Sequence, residues 1–388
     1  MKIRLFNNIS DAIYDRLDDK FYEIDKDCED YDAAIVRSAK LHDAEFPENL
    51  LAIARAGIGV DNIPLDRCSE SGIVVLNTPG SNANAVKELV IAGMLLSGRN
   101  IEGSLNWVAA QDSSSDDIPA RVEKEKKAFV GREIAGKTLG VIGLGAIGTL
   151  VANAAIGLDM EVIGYDPYLS VESALKLNRS VKIAKSKEEL LKAADFVTMH
   201  LHLTEDTRHT IGRKEIRIMK KDAVVMNYAR GGLVDDKAVV EALEEDRLGH
   251  YCTDFPNAIV VGCSKVTATT HLGASTPEAE ENSATIAAKH LDTYLRYGNI
   301  KNSVNFPNCD LWFESGCRLC IINRNITNMV GQITAVLAEY ELNIEHMLNR
   351  SKGDYAYTII DLPERPTEAA IEAVRNIDGV IRVRVIEA

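Results

Sequence analysis

Nothing in this 388-residue chain supplies a long apolar run, an excess of basic charge or a paired set of cysteines. Each absence removes a class of protein. No stretch approaches the roughly 18 consecutive apolar residues of a membrane span, so none is expected. The opening MKIRLFNNIS lacks the apolar core of a secretory leader. Forty-four Lys and Arg against 58 Asp and Glu give a net charge of −14, which disfavours nucleic acid or an anionic membrane as partner. A small anionic substrate stays admissible, because local charge governs a site. The seven cysteines, at 28, 68, 252, 263, 309, 317 and 320, are odd in number and scattered. They form no disulfide framework and suit a reducing, cytoplasmic setting. Cys317 and Cys320 make one CxxC, but no second pair follows and the run reads as a strand, which weighs against a metal or redox role. No HExxH or similar cluster appears, and no metal site is expected.

What is present is a rhythm. The length calls for two or three domains. Residues 1–80 alternate short apolar runs (IRLFN, AAIVR, LAIARAG, GIVVLN) with polar or helical stretches, the pattern of a parallel α/β sheet. Residues 83–98 read as a helix whose Asn-rich start is expected to cap it. The polar stretch 107–128, with its DSSSDD, reads as a surface segment or loose helix start. LGVIGLG, MEVIGYD, FVTMHL, AVVMNYA and KVTATTHLG then supply strands for a second doubly wound sheet. A helix is expected over 281–297, then a linker, NIKNSVNFPNCD. The remainder follows a βαββαβ order in about 70 residues, a ferredoxin-like module. The expected fold is therefore α/β, with two doubly wound Rossmann-like domains and a C-terminal ferredoxin-like domain.

Two kinds of chemistry stand out. Gly143, Gly145 and Gly148 fit GxGxxG between a strand-like and a helical run. The first glycine permits the turn, the second lets backbone approach a pyrophosphate, and the third allows close helix–strand packing. The helix start offers unpaired N–H groups to phosphate. Asp166, ending the next strand, can accept hydrogen bonds from a ribose diol and would repel a 2′-phosphate, so NAD is the expected cofactor. The second chemistry is charge at strand ends. Arg230, in NYARGGLVDD, can grip a carboxylate with its guanidinium fork and polarise a carbonyl. His271, in TTHLGAST, can give or take a proton near neutral pH, as interconversion of an alcohol and a ketone requires. His200 and His202 alternate beside the same sheet edge and are candidates to line the cofactor groove.

With these motifs the chain resembles the D-isomer-specific 2-hydroxyacid dehydrogenases, and within them the branch that oxidises D-3-phosphoglycerate and carries a C-terminal ACT domain. The likeness rests on ARAGIGVDNI (54–63), NTPGSNANAVKEL (77–89), GLGAIG, NYARGG, THLGASTPEAEEN and the C-terminal module. It implies a substrate-binding domain over 1–95 completed by 285–305, an inserted NAD-binding domain over 96–284, and an ACT-like regulatory domain over 306–388. The implied reaction is NAD-dependent oxidation of 3-phosphoglycerate to 3-phosphohydroxypyruvate, the entry to serine synthesis. Hydroxypyruvate or glyoxylate as substrate, and an NAD-binding regulator, are the alternatives. By resemblance Arg230 meets the substrate and His271 is the acid/base. The cofactor would meet Gly143, Gly145, Ala146, Ile147, Gly148, Asp166, His200, Ala229, Arg230, Asp254, His271 and Gly273. Substrate would meet Arg55, Ala56, Gly57, Gly59 and Asn82, with Arg37 a second candidate for the phosphate. A homodimer or homotetramer is implied.

Two departures qualify this. The family glutamate that pairs with the histidine has no counterpart, since TDFPNAIVVG holds no carboxylate over 256–260. That leaves open whether Asp254, Glu278 or Glu280 orients His271. In the ACT-like domain Asn323 stands where serine-binding relatives have histidine, and Thr327 where they have proline, although Asn325 and Asn343 are retained. L-serine as effector, bound near Asn323, Asn325 and Asn343, stands beside a purely oligomerising role.

Overall fold

A computed structural model describes residues 1–387 and divides into two compact units, Met1–Ser81 with Glu280–Ala388, and Asn82–Ala279. The first unit begins with five parallel strands: β1 (Lys2–Phe6), β2 (Glu23–Asp25), β3 (Ala33–Val36), β4 (Ala52–Arg55) and β5 (Val74–Leu76), ordered β2-β1-β3-β4-β5. Every residue of β3 and β5 is buried, as a sheet covered on both faces requires.

The second unit holds seven parallel strands: β6 (Thr138–Ile142), β7 (Glu161–Tyr165), β8 (Lys182–Ile183), β9 (Phe196–Met199), β10 (Val224–Asn227), β11 (His250–Thr253) and β12 (Val266–Ala268). Their order, β12-β11-β10-β9-β6-β7-β8, reverses between β6 and β9. In an open parallel sheet, ligands bind at such a reversal, beyond the carboxyl ends of the strands. The helix Ala83–Gly98 belongs to this unit and packs on the helix Ala146–Gly157, whereas the sequence reading ran the first domain on to residue 95. Asn82 precedes the helix but makes no side-chain cap, contrary to expectation, and its Oδ1 is buried without a partner. The polar stretch 107–128 holds the end of one helix, Ile101–Ala109, and all of a second, Ile118–Glu125, neither with a buried residue.

The C-terminal module forms an antiparallel sheet of β13 (Cys317–Arg324), β14 (His346–Lys352), β15 (Tyr355–Leu362) and β16 (Val380–Glu387), ordered β14-β15-β13-β16. Together with helices Met329–Glu339 and Glu368–Arg375 it is the ferredoxin-like arrangement of an ACT domain. Both sheet faces are covered. Leu319, Ile321, Ile360 and Leu362 pack among residues of the module's own two helices. Cys320, Ile322, Tyr357 and Ile359 join the core of the first unit with Leu291 and Tyr294 of the long helix Pro277–Tyr297. Residues three apart on a strand point to opposite faces, so Cys317 and Cys320 are separately buried thiols rather than a chelating pair.

The expected linker is itself part of this core. Ile300 bridges Cys309, and Asn305 accepts from Val75 N–H at 2.9 Å and donates to the Ile73 carbonyl at 2.9 Å. Gly298 turns at φ +68°, and a Cβ there would lie 2.2 Å from Cys320 Sγ, so only glycine lets the chain leave the helix so close to the module. Tyr357 donates to the Gly298 carbonyl at 2.6 Å. At the centre Arg318, fully buried, donates to both oxygens of Asp361 at 2.6 and 2.8 Å, and to the carbonyls of Tyr297, Leu311 and Trp312. A buried guanidinium is tolerated only with such complete pairing.

Removing one partner therefore strands a buried charge. Asp361→Leu is expected to destabilise the chain by about 3–5 kcal/mol, whereas Arg318→Met with Asp361→Leu recovers most of that loss. Urea unfolding followed by circular dichroism measures both; equal losses in the single and double variants would contradict the pairing argument.

Candidate active site

The glycine turn after β6 shows a steric constraint at Gly143 and at Gly148. Gly143 adopts φ +88°, and a Cβ on it would stand 2.6 Å from the His200 carbonyl oxygen. Here β6 and β9 part, so backbone from both sides of the reversal meets at this residue. Gly148 would drive a Cβ to 1.9 Å from the Gly143 carbonyl, whereas one on Gly145 would face open space. Gly145 is also the N-cap of the helix Ala146–Gly157, and no side chain caps that end. Ala146, Ile147 and Gly148 thus open the helix with backbone N–H groups suited to a diphosphate. Asp166 accepts from Leu144 N–H and Tyr168 N–H, each at 2.8 Å. This fixes the carboxylate against the turn and leaves lone pairs on both oxygens for a diol. The dinucleotide expected from the sequence fits these residues.

Beside the turn, His200 has Nε2 against Thr198 Oγ1 at 3.2 Å, while Nδ1 is buried without a partner. Burial alone pushes its imidazole down to about 3, so it is neutral at physiological pH. His202, two residues on, has its carbonyl accepting from Thr207 Oγ1.

The loop after β10 is braced by Asn227, which the sequence reading passed over. Its Nδ2 donates to the Arg230 carbonyl at 2.9 Å and its Oδ1 accepts from Ala229 N–H at 3.3 Å. Its signal was available: a polar residue ending an apolar run, four residues before a pair of glycines. Arg230 donates to the Ala229 carbonyl at 2.7 Å through Nη1 and is half-buried. Among the described residues its other guanidinium N–H groups are uncommitted.

His271 lies three residues beyond β12, exposed, its carbonyl accepting from Ser275 Oγ at 3.3 Å. Asp254, at the end of β11, is 1% exposed; its Oδ2 accepts from Gly273 N–H at 3.0 Å and its Oδ1 is buried without a partner. Burial holds its carboxyl above the usual carboxylate range, against the lowering pull of Gly273 N–H and the His271 charge. Among the described residues no carboxylate makes an ion pair with His271. Glu280, one candidate from the sequence, is instead held by Arg37 at 2.5 Å. The second unit thus carries Asn82, Gly143, Gly145, Gly148, Asp166, His200, Ala229, Arg230, Asp254, His271 and Gly273.

Arg37, Arg55, Ala56, Gly57 and Gly59 belong to the first unit. Val36 pairs with Arg55 in register, so the two arginines leave neighbouring parallel strands at the same end. Gly57, at φ +144°, lies under the Arg55 guanidinium, where any Cβ would collide with Nη1. In the C-terminal module Asn323 is buried and donates to the Arg324 carbonyl at 2.7 Å, with Oδ1 unpartnered. Asn325 donates to the Gly353 carbonyl at 3.0 Å, and Asn343 is exposed.

Residues 91–273 match the NAD binding domain of D-isomer specific 2-hydroxyacid dehydrogenases. The chain is 40% identical over 288 residues to a D-3-phosphoglycerate dehydrogenase of Methanocaldococcus jannaschii, a match over 72% of this chain and 52% of the relative. It thus spans about half the length of that relative. It is 38% identical over 272 residues to a hydroxypyruvate reductase of Thermotoga maritima, covering 66% of this chain and 83% of the relative. The crystal structure of a cofactor (NAD+) bound 3-phosphoglycerate dehydrogenase from Entamoeba histolytica superimposes with a TM-score of 0.59 at 28% identity, over 79% of this chain and 98% of that one.

The raised carboxyl of Asp254 has a stability consequence. The folded chain holds this proton to higher pH than the unfolded chain does, so the contribution of Asp254 falls as pH rises above the ordinary carboxylate range. Asp254→Asn keeps an acceptor for Gly273 N–H and removes that buried charge. Its Tm at pH 7.5 is expected to equal or exceed that of the parent, the gap closing as pH falls toward about 4. A loss of more than about 4 °C at pH 7.5, roughly 1 kcal/mol or more, would contradict this reading.

Proposed function

Because the chain belongs to the D-isomer-specific 2-hydroxyacid dehydrogenase family, we propose that it oxidises a D-2-hydroxyacid with NAD, and that the acid is D-3-phosphoglycerate, giving 3-phosphohydroxypyruvate. The observation that carries the reaction class is the common placement of Arg230 and His271 beyond the carboxyl ends of one parallel sheet whose Gly143 turn suits a dinucleotide. NAD, when bound, supplies the hydride acceptor. His271 takes the hydroxyl proton as the carbon–hydrogen electron pair leaves, so the alcohol becomes a ketone and the imidazole an imidazolium. The uncommitted guanidinium of Arg230 holds the substrate carboxylate and stabilises charge on the developing carbonyl. Asn82 Oδ1 and Asp254 Oδ1, both buried without partners, await donors, the first from substrate and the second from the nicotinamide carboxamide. His271→Asn is expected to lower kcat/KM by about 10²–10⁴-fold. Arg230→Lys should raise the substrate KM and lower kcat together, because an ammonium lacks the fork.

For the phosphate we assign Arg55 with Arg37, supported by their shared strand-end position and by the M. jannaschii relative. Two observations favour the unphosphorylated alternative: Glu280 already pairs with Arg37, and the T. maritima relative is a hydroxypyruvate reductase. Charge-assisted hydrogen bonds contribute about 1.5–3 kcal/mol each. D-3-phosphoglycerate should therefore exceed D-glycerate in kcat/KM by at least about 10²-fold, a margin that Arg55→Met removes. Comparable values for both acids would favour the second reading.

We extend the reading to L-serine as effector through Asn323 Oδ1, Asn325 and Asn343, in a homodimer or homotetramer. Inhibition by L-serine that Asn323→Leu abolishes, with mass fixed by sedimentation, tests it; full activity throughout a serine titration would exclude the effector.

A further inference from the structure

We infer that the ring of Phe255 is the positioning residue for His271, holding the imidazole in the place where a paired carboxylate would otherwise orient it. The inference rests on the assignment of His271 as acid/base. The two rings meet with centroids 4.7 Å apart and planes inclined by 51°, an arrangement favourable between aromatic rings. Phe255 also reaches the arginine loop: a Cβ built on Gly231 would lie 3.8 Å from Phe255 Cβ and 3.9 Å from its Cδ1. One side chain therefore meets the His271 ring and lies beside the arginine loop.

Its backbone is fixed from the same direction. Phe255 N–H donates to Thr253 Oγ1 at 3.0 Å, and the Thr253 carbonyl accepts from Thr269 N–H at 3.0 Å. The strands bearing Phe255 and leading to His271 are thus tied two residues before each ring. Among the described residues neither Asp254 nor Asn257 hydrogen-bonds the His271 ring. Asp254 turns Oδ2 to Gly273 N–H. Asn257, in the stretch where the family carries its glutamate, donates to Asp236 Oδ2 at 2.6 Å. Among the described residues none of the ion pairs includes His271. An exposed imidazole held by neither ion pair nor side-chain hydrogen bond would sample several rotamers, and an aromatic face against it removes most of them.

The test combines nuclear magnetic resonance on the free chain with kinetics of Phe255→Leu, Phe255→Met and Phe255→Tyr. In the parent, the His271 ring protons, assigned from their loss in His271→Asn, should show cross-relaxation to the Phe255 ring and ring-current displacement. Both signatures should vanish in Phe255→Leu and Phe255→Met and persist in Phe255→Tyr. Turnover should follow: kcat falls about tenfold in the two aliphatic variants, as a small misplacement of a catalytic group can cost. The Kd for NAD should stay within twofold, and Phe255→Tyr should keep parental kcat. Unchanged kcat in a folded aliphatic variant, or absence of the cross-relaxation in the parent, overturns the assignment. Failure of the parent to turn over any 2-hydroxyacid would defeat the proposed function instead, and the resonance signatures would then decide the contact alone.

Discussion

The close approach of Gly143 to the His200 carbonyl is the constraint on which the second unit turns. Strands β6 and β9 are adjacent, yet the chain leaves them toward opposite sides of the sheet, so their ends must part within one residue of a neighbour's backbone. A side chain at 143 would be strained by its φ and blocked by that carbonyl. Once the turn is made, Gly148 lets the helix settle against it and Gly145 exposes backbone toward an anion. Asp166 is tied to the same turn through Leu144 N–H. The carboxylate proposed for the ribose is therefore fixed to the same turn as the backbone N–H groups proposed for the phosphates. The arginine and histidine loops follow from the same sheet, two and four strands across from β6 on the β9 side.

Much of this was legible because it is local. Continuous apolar runs mark strands buried on both faces, and the glycine spacing encodes a turn within six residues. The βαββαβ order of the last module was readable from alternating periods. What escaped the sequence depends on partners far away in the chain. Arg318 looks like an outward residue of a strand until Asp361 and three carbonyls surround it. Arg37 and Glu280 are 243 residues apart, and no local pattern announces their pairing. The cap expected of Asn82 is absent, its Oδ1 being buried without a partner. Phe255 reads as an ordinary aromatic after a strand, and only the fold sets it against His271.

Within the first unit, the C-terminal module is joined to the helix Pro277–Tyr297 by more than its covalent link. A sheet face of the module shares one core with the helix Pro277–Tyr297, and Arg318 ties it to the segment that follows that helix. Arg384 adds bonds to the Tyr294 and Leu295 carbonyls. The same helix that anchors the module also carries Glu280, the partner of Arg37.

The most direct test of the account follows the hydrogen itself. The chain is mixed with NAD and D-3-phosphoglycerate deuterated at C2, and the reduced cofactor is weighed by mass spectrometry. The account predicts one deuterium per reduced cofactor from the D-acid and none from its L-isomer. Reduced cofactor without deuterium, or its absence despite measurable NAD binding, would contradict the claim that this site oxidises a D-2-hydroxyacid.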